Sequence, residues 1–217
     1  MQIIKVAARD SSLSLAQVDE VLQQVHLVDP MVSFTLTCLK TTGDIDLQSS
    51  LVDKEKTDFF TKEIDELVAK GYCDIGIHSA KDLPEPLHHE LEILALTKGV
   101  DPADVLVLRN NATLESLPHG ALIGTSSLRR IEQMQKLRAD FVAKDIRGTI
   151  ERRLDLLHQG IFDGVIMAKA ALIRLGLLDL NWIKMPGQSA PLQGKLAIVS
   201  CKGRSDLKKI FSNLDAR

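Results

Sequence analysis

The sequence has few aromatic residues and few cysteines. Phe, Trp and Tyr make up 4% of its 217 residues, and Trp and Tyr occur once each. This scarcity argues against the stacked aromatic platforms that bind single-stranded nucleic acid. The three cysteines, Cys38, Cys73 and Cys201, have neither metal-ligand spacing nor a Cys-x-x-Cys motif. We therefore exclude a disulfide-rich secreted scaffold and expect a reduced protein whose cysteines are buried structural thiols.

Long hydrophobic runs and nucleotide-binding motifs are also missing. No stretch approaches the ~18 apolar residues of a membrane span, and Arg9 and Asp10 interrupt the apolar start too early for a signal peptide. The sequence contains no Walker loop, no Gly-x-Gly-x-x-Gly and no His-Glu-x-x-His motif. We expect a cytoplasmic monomer that needs no metal, ATP or NAD and binds neither membrane nor nucleic acid.

The remaining composition is that of an ordinary globular protein, with 45% hydrophobic and 26% charged residues and a net charge of -2. Short apolar runs alternate with amphipathic stretches, as in a mostly parallel sheet covered by helices. Gly and Pro interrupt this pattern at residues 97–102 and 186–191. The pattern predicts an α/β fold of two lobes, each a mixed, mostly parallel sheet flanked by helices, with a cleft between them. The expected lobes are residues 1–98 plus 194–217 and residues 99–193.

The most informative stretch is Gly-Thr-Ser-Ser-Leu-Arg-Arg at residues 124–130, which follows an apolar run and precedes a helical pattern. A small-residue turn between a strand and a helix exposes backbone N–H groups, which favour anions. Thr125, Ser126 and Ser127 add hydroxyl donors, and the next two arginines add fixed charge suited to carboxylates or phosphates. The stretch predicts an anion site; the alternative is an ordinary helix cap with two solvated arginines.

A second cationic cluster follows at residues 145–149, Asp-Ile-Arg-Gly-Thr, which also ends a strand and opens a helix. Residues 125–153 contain eight Lys or Arg and four Asp or Glu, a balance of about +4 in an acidic chain. The carboxyl ends of parallel strands meet at one sheet edge, so these arginines are expected to converge on a strongly anionic ligand. Nucleic acid is the alternative ligand, and the acidic overall charge disfavours it.

A third cluster, His-Ser-Ala-Lys-Asp at residues 78–82, follows the apolar run 73–77. Its position at the carboxyl end of a strand is where open α/β sheets carry their sites. Lys81 and Asp82 pair a cation with a carboxylate that can move or stabilise protons. The alternative is a surface loop in which His78 is a satisfied loop histidine.

Two weaker candidates lie near the start of the chain. Arg9 and Ser11 fall between a strand and a helix, either as a further anion-binding corner or as a surface arginine beside a helix cap. Asp44 closes the next strand, and a turn residue is the favoured interpretation over a second acid.

Taken together in their order along the chain, the motifs resemble those of the porphobilinogen deaminase (hydroxymethylbilane synthase) family over about residues 3–203. The motifs lie at residues 8–11, 41–44, 78–84, 124–130, 146–148 and 173–177. The resemblance implies the fold of periplasmic solute-binding proteins. It also implies a transferase of tetrapyrrole (haem) biosynthesis. That enzyme joins four porphobilinogen molecules head to tail into hydroxymethylbilane, releases ammonia at each addition, and builds on a dipyrromethane cofactor held by a cysteine thioether.

The resemblance also implies residue roles. Asp82 matches the catalytic aspartate, with Asp44, His78 and Ser79 as supporting groups. The positions matching groups that bind the carboxylates of cofactor, porphobilinogen and oligopyrrole intermediates are Arg9, Ser11, Lys81, Thr125, Ser126, Ser127, Arg129, Arg130, Arg147, Arg153 and Arg174. Each pyrrole brings two carboxylates, so many cations suit this ligand.

Some positions depart from the family. Its cofactor cysteine lies in a Gly-Gly-Cys context within a third domain, which we expect to be absent because the sequence ends at Arg217. None of the three cysteines here has that context, and Cys201 is the candidate for covalent attachment. Asp53 replaces a cofactor-binding lysine. The alternative function is a catalytically impaired two-lobe module that binds pyrrole polycarboxylates or other small anions. Asp82 favours the enzyme, because a carboxylate facing an anion only repels it.

Overall fold

The structure, a computed structural model, describes residues 2–46, 57–109 and 111–217; Asp53 lies outside these ranges. The chain divides into two units. Of the described residues, the first unit contains 2–46, 57–100 and 192–217, and the second contains 101–109 and 111–191. In the described part of the chain, no helix is long and apolar enough to cross a membrane.

The described residues form ten strands and seven α-helices, numbered in chain order. The strands are β1 (Gln2–Arg9), β2 (Val32–Leu39), β3 (Ile75–Ser79), β4 (Leu91–Leu96), β5 (Asp104–Leu108), β6 (Leu122–Gly124), β7 (Val142–Lys144), β8 (Gly164–Ala168), β9 (Trp182–Lys184) and β10 (Leu196–Cys201). The helices are α1 (Ser12–His26), α2 (Thr42–Ile45), α3 (Lys62–Ala69), α4 (Leu128–Leu137), α5 (Ile150–His158), α6 (Lys169–Arg174) and α7 (Ser205–Phe211). Short 3-10 helices span Asp58–Phe60, Ala80–Asp82 and Ser212–Leu214.

Each unit has one five-stranded sheet, and the two sheets share a topology. The first has the order β2-β1-β3-β10-β4 and the second the order β7-β6-β8-β5-β9. In the first sheet only β10 runs against its neighbours, and in the second only β5 does. The expected α/β class with mixed, mostly parallel sheets is confirmed. The parallel strands β1, β2 and β3 end at one edge of the first sheet, and β6, β7 and β8 end at one edge of the second.

The central strands are buried on both faces, which explains their continuous apolar runs. Along β5, Val105 and Val107 pack into the core beside α5 and α6, whereas Leu106 and Leu108 pack into the core beside α4. Strand β10 alternates in the same way between two cores of the first unit. This alternation is the period of two expected for a strand, and it holds each sheet between helices.

Hydroxyl side chains stand at the start of several helices. The Ser11 side chain accepts a hydrogen bond from the Ser14 backbone N–H at 3.2 Å and caps α1. Thr149 caps α5 in the same way through the Arg152 N–H at 3.4 Å. Ser127 is the N-cap of α4, but its side chain makes no cap hydrogen bond. Asp44 lies in helix α2 rather than in a simple turn.

Candidate active site

The carboxyl ends of β1, β2 and β3 bring the predicted residues of the first unit to one sheet edge. Arg9 is the last residue of β1, helix α2 follows β2, and the 3-10 helix with Lys81 and Asp82 follows β3. Asp82 is half-buried, and within residues 2–46, 57–109 and 111–217 its carboxylate makes no hydrogen bond or ion pair. Lys81 Nζ donates to Gln193 Oε1 at 3.2 Å. The edge thus presents a carboxylate that no described side chain neutralises.

The side chains of His78 and Ser79 contact helices that pack against the first sheet. His78 Nε2 lies 3.1 Å from Asp65 Oδ1 of α3, with side chains only 3% and 4% exposed. Neither of these two atoms has a well-aligned hydrogen bond within the described residues, so the two side chains form a close buried contact. Ser79 Oγ accepts a hydrogen bond from Gln17 Nε2 at 2.8 Å. Both side chains therefore tie helices to the strand that leads into Asp82.

Replacing Asp65 by Ala is expected to destabilise the chain by about 2–4 kcal/mol, because the buried imidazole of His78 loses its acidic partner. The matched control is Glu66→Ala on the same helix, since Glu66 forms a surface ion pair with the exposed Lys70 and its loss should change stability little. Urea denaturation measures both variants. Equal free energies of unfolding for the two variants would contradict the buried-pair assignment.

Arg9 forms an ion pair with Asp44, so its charge is partly compensated within the protein. Its guanidinium forms an ion pair with the Asp44 carboxylate, and Nε donates at 3.1 Å. Asp44 also accepts from the Thr41 N–H at 3.0 Å, and the Phe60 ring lies 4.8 Å from the guanidinium carbon. Burial opposes the charge of Asp44, but Arg9 and Thr41 outweigh it and lower the pKa of that carboxyl. Asp44 is thus the ionised partner of Arg9.

In the second unit, Arg129 and Arg130 share one buried carboxylate. Asp104 opens β5 with a side chain 1% exposed, and its oxygens lie 2.7 Å from Arg129 Nη1 and 2.6 Å from Arg130 Nη2. Burial disfavours the charged form of Asp104, yet Arg130 and Arg129 outweigh it and lower its pKa. Arg130 is 12% exposed and Arg129 27%. Arg130 is therefore largely enclosed beside Asp104, whereas more of Arg129 is exposed.

The other predicted groups of the second unit lie in or after the loops that follow β6, β7 and β8. Thr125 is buried, and its hydroxyl oxygen accepts from the Ser127 N–H at 3.3 Å. The Ser127 hydroxyl is half-exposed and has no partner within the described residues. Arg147 is half-buried in the loop after β7, and Arg153 Nε donates to the Gly148 carbonyl at 3.0 Å. Arg174, also half-buried, ends α6.

The sequence interpretation missed Asp65, Asp104 and Gln193, which pair with the motif residues. Asp104 carried a usable signal, because a carboxylate that opens the apolar run Val105–Leu108 needs a cationic partner. Asp65 and Gln193 gave no such signal, since polar residues on helices and loops are ordinarily solvated. In the described part of the chain, no group of three His, Cys, Asp or Glu side chains could hold a metal ion.

Comparison with known proteins decides the family. The model described as "Porphobilinogen deaminase, dipyromethane cofactor binding domain" matches residues 4–209. The chain belongs to the porphobilinogen deaminase family. A probable porphobilinogen deaminase of Chlamydia pneumoniae is 41% identical over 209 residues, 96% of this chain and 88% of that protein. One from Hyperthermus butylicus is 37% identical over 214 residues, 96% of this chain and 70% of that protein.

Solved structures confirm the fold expected for this family. CbnR, a LysR family transcriptional regulator, superposes with a TM-score of 0.59 at 13% identity, covering 98% of this chain and 68% of that one. The periplasmic VFT2 domain of Bordetella pertussis BvgS gives 0.54 at 12% identity, covering 98% and 86%. These likenesses concern the fold alone, which is the two-lobe fold of periplasmic binding proteins.

The cysteines of this family member correct one prediction and weaken another. Cys38 is exposed, because β2 is the edge strand of its sheet, so the prediction that all three thiols are buried was wrong. Cys201 is the last residue of β10, and its Sγ lies 3.0 Å from the Val68 carbonyl oxygen. Since β10 runs antiparallel to β3, Cys201 lies at the sheet edge opposite Asp82. That position disfavours Cys201 as a cofactor carrier.

The described side chains fit the acidic groups of a dipyrromethane cofactor. The unpartnered Ser127 hydroxyl stands at the start of α4, where the first N–H groups of the helix also favour anions. The exposed part of Arg129 lies two residues further on. Hydroxyl and guanidinium groups can both donate hydrogen bonds to the carboxylates of such a cofactor.

Proposed function

We propose that this chain is a porphobilinogen deaminase that condenses porphobilinogen head to tail into hydroxymethylbilane and releases ammonia at each addition. The observation that supports this most is Asp82, a half-buried carboxylate without a partner in the described residues, beside Lys81 at the end of β3. Asp44 and Asp104 are instead neutralised by arginines. Asp82 therefore remains available to contact the reacting pyrrole.

Asp82 does the chemistry in this account. When the carbon–nitrogen bond to the departing ammonia breaks, positive charge develops on the pyrrole, and the adjacent carboxylate stabilises it. A new carbon–carbon bond then joins the carbon that lost ammonia to a ring carbon of the other pyrrole, and that ring carbon must lose its proton. Asp82 accepts that proton and passes it to solvent.

The cationic groups hold the acetate and propionate side chains. In the second unit these groups are Arg129, Arg147, Arg153 and Arg174, and in the first unit they are Arg9 and Lys81. The neutral hydroxyls of Ser127 and Ser11 add hydrogen-bond donors. Thr125 and Arg130 support the site, because both are turned toward the protein. A dipyrromethane cofactor, when bound, supplies the first pyrrole carbon to be extended, and the same cationic groups would hold it.

The direct test is the release of ammonia. The wild-type chain is incubated with porphobilinogen, and ammonia and linear tetrapyrrole are quantified over many equivalents of substrate. Catalytic release of ammonia is the expected result. Tight binding of porphobilinogen with no ammonia would favour the second candidate, a binding module for pyrrole polycarboxylates.

Replacing Arg147 by Ala is expected to raise KM for porphobilinogen about tenfold, since one charge-assisted contact to a carboxylate is lost. The salt dependence of KM should also become shallower, because fewer charges are screened. Lys136→Ala is the matched control: it removes one exposed cation of α4 far along the helix from its start. Steady-state rates at two ionic strengths measure both, and equal KM values for the two variants would contradict the role of Arg147.

A further inference from the structure

The loops that enter α4 and α5 run side by side. Strands β6 and β7 pair in parallel up to Gly124 and Lys144. The pairing continues one residue beyond, where the Thr125 N–H donates to the Lys144 carbonyl at 3.0 Å. The loops 125–127 and 145–149 therefore leave the sheet next to each other.

Ser126 directs its side chain at the neighbouring loop. Its hydroxyl accepts from the Ile146 N–H at 3.2 Å, lies 2.9 Å from the Ile146 carbonyl oxygen, and forms a short contact with the Asp145 carboxylate. A hydroxyl has one proton, so it donates to Asp145 or to the Ile146 carbonyl while it accepts from the N–H. The hydrogen-bonding capacity of Ser126 is thus used within the protein. The neighbouring Ser127 hydroxyl, in contrast, has no partner within the described residues.

We propose that Ser126 and Asp145 are positioning residues that fix the spacing of the two ligand-binding loops. The hydrogen bonds of Ser126 Oγ with Asp145 and Ile146 are called the loop clamp here. One side of the clamp carries Ser127, and the other carries Arg147. The inference rests on the proposed function and refines it, because Ser126 serves the pyrrole carboxylates without touching them.

The negative charge of Asp145 allows the proposal to be tested by the sign of a change in ligand affinity. Asp145 is an exposed carboxylate within two residues of Arg147. By charge alone it repels an anionic ligand, so its removal would tighten binding. As part of the loop clamp it keeps Ser127 and Arg147 at the spacing that the ligand needs, so its removal weakens binding. The two roles predict opposite signs.

The experiment measures the dissociation constant of porphobilinogen by calorimetry for the full chain and its variants. Ser126→Ala and Asp145→Ala are each expected to weaken binding about tenfold, the equivalent of one charge-assisted hydrogen bond. Ser126→Thr keeps the hydroxyl and should restore most of the affinity. The double variant should bind no more weakly than the weaker single variant, because the two residues act through one contact.

Glu132→Ala is the matched control for charge, because Glu132 is an exposed carboxylate of α4 without a contact to the loop clamp. It should leave affinity unchanged or slightly raise it. Tighter binding by Asp145→Ala, or wild-type affinity in Ser126→Ala, would overturn the proposal. Hydrogen exchange of the Ile146 amide without ligand is a second readout: faster exchange in Ser126→Ala supports the clamp, and unchanged exchange overturns it. Failure of the wild-type chain to bind porphobilinogen would instead overturn the proposed function.

Discussion

Asp82→Asn is expected to lower the turnover of porphobilinogen by about 10³-fold or more, the scale of losing one electrostatic stabiliser of a transition state. Asn keeps the size of the side chain and one acceptor oxygen, but it carries no charge and takes up no proton. Ammonia release under saturating porphobilinogen measures the effect. The dissociation constant should not rise, since removal of a negative charge does not weaken the binding of an anion.

The matched control for this variant is Asp10→Asn. Asp10 is an exposed carboxylate that directly follows β1 at the same sheet edge. Its replacement should leave turnover near the wild-type value. The thermal midpoint of Asp82→Asn should not fall, because Asp82 has no partner to lose within the described residues. Wild-type turnover in Asp82→Asn would show that another group does the chemistry.

Asp104→Ala is expected to cost about 3–5 kcal/mol of stability, because two guanidiniums lose the buried carboxylate between them. Asp101→Ala is the control: Asp101 pairs with Lys169 at 2.7 Å but is 36% exposed, so the loss should be much smaller. Urea unfolding measures both variants. A loss for Asp104→Ala no larger than that for Asp101→Ala would contradict the buried network.

The pH dependence of this network has a definite sign. The pKa of Asp104 is lower in the folded chain than its ordinary value, because Arg130 and Arg129 outweigh burial. Its stabilisation is therefore complete above the unfolded pKa of about 3.9 and is lost as pH falls below it. The stability difference between wild type and Asp104→Ala should shrink below about pH 4. A constant difference down to pH 3 would contradict this account.

The sheet architecture was predictable because its strands are buried on both faces. Continuous apolar runs such as Val105–Leu108 mark such strands whatever their direction. The direction of a strand was not predictable, because a continuous apolar run does not indicate whether the strand runs parallel or antiparallel to its neighbours. The antiparallel courses of β5 and β10 depend on connections that close each sheet, and no local pattern encodes them.

The positions of candidate site residues were predictable where polar and charged residues come directly after a strand in the sequence. The motifs around Asp82, Ser127 and Arg147 lie at the carboxyl ends of parallel strands, as the alternation of strands and helices predicted. The ion-pair partners of these residues were not predictable from the sequence. Asp104 and Arg130, for example, are 26 residues apart in the chain and come into contact only in the fold. The burial of Cys38 was predicted wrongly for a related reason, because whether a strand lies at a sheet edge depends on the whole strand order.

Native mass spectrometry of the chain after exposure to porphobilinogen tests the central claim most directly. Each condensation adds the mass of one porphobilinogen less one ammonia. We expect a ladder of protein-bound species above the 23.9 kDa polypeptide at this interval, with the ladder absent in Asp82→Asn. A polypeptide carrying only intact porphobilinogen, or none, would contradict the claim that this chain forms the bonds itself.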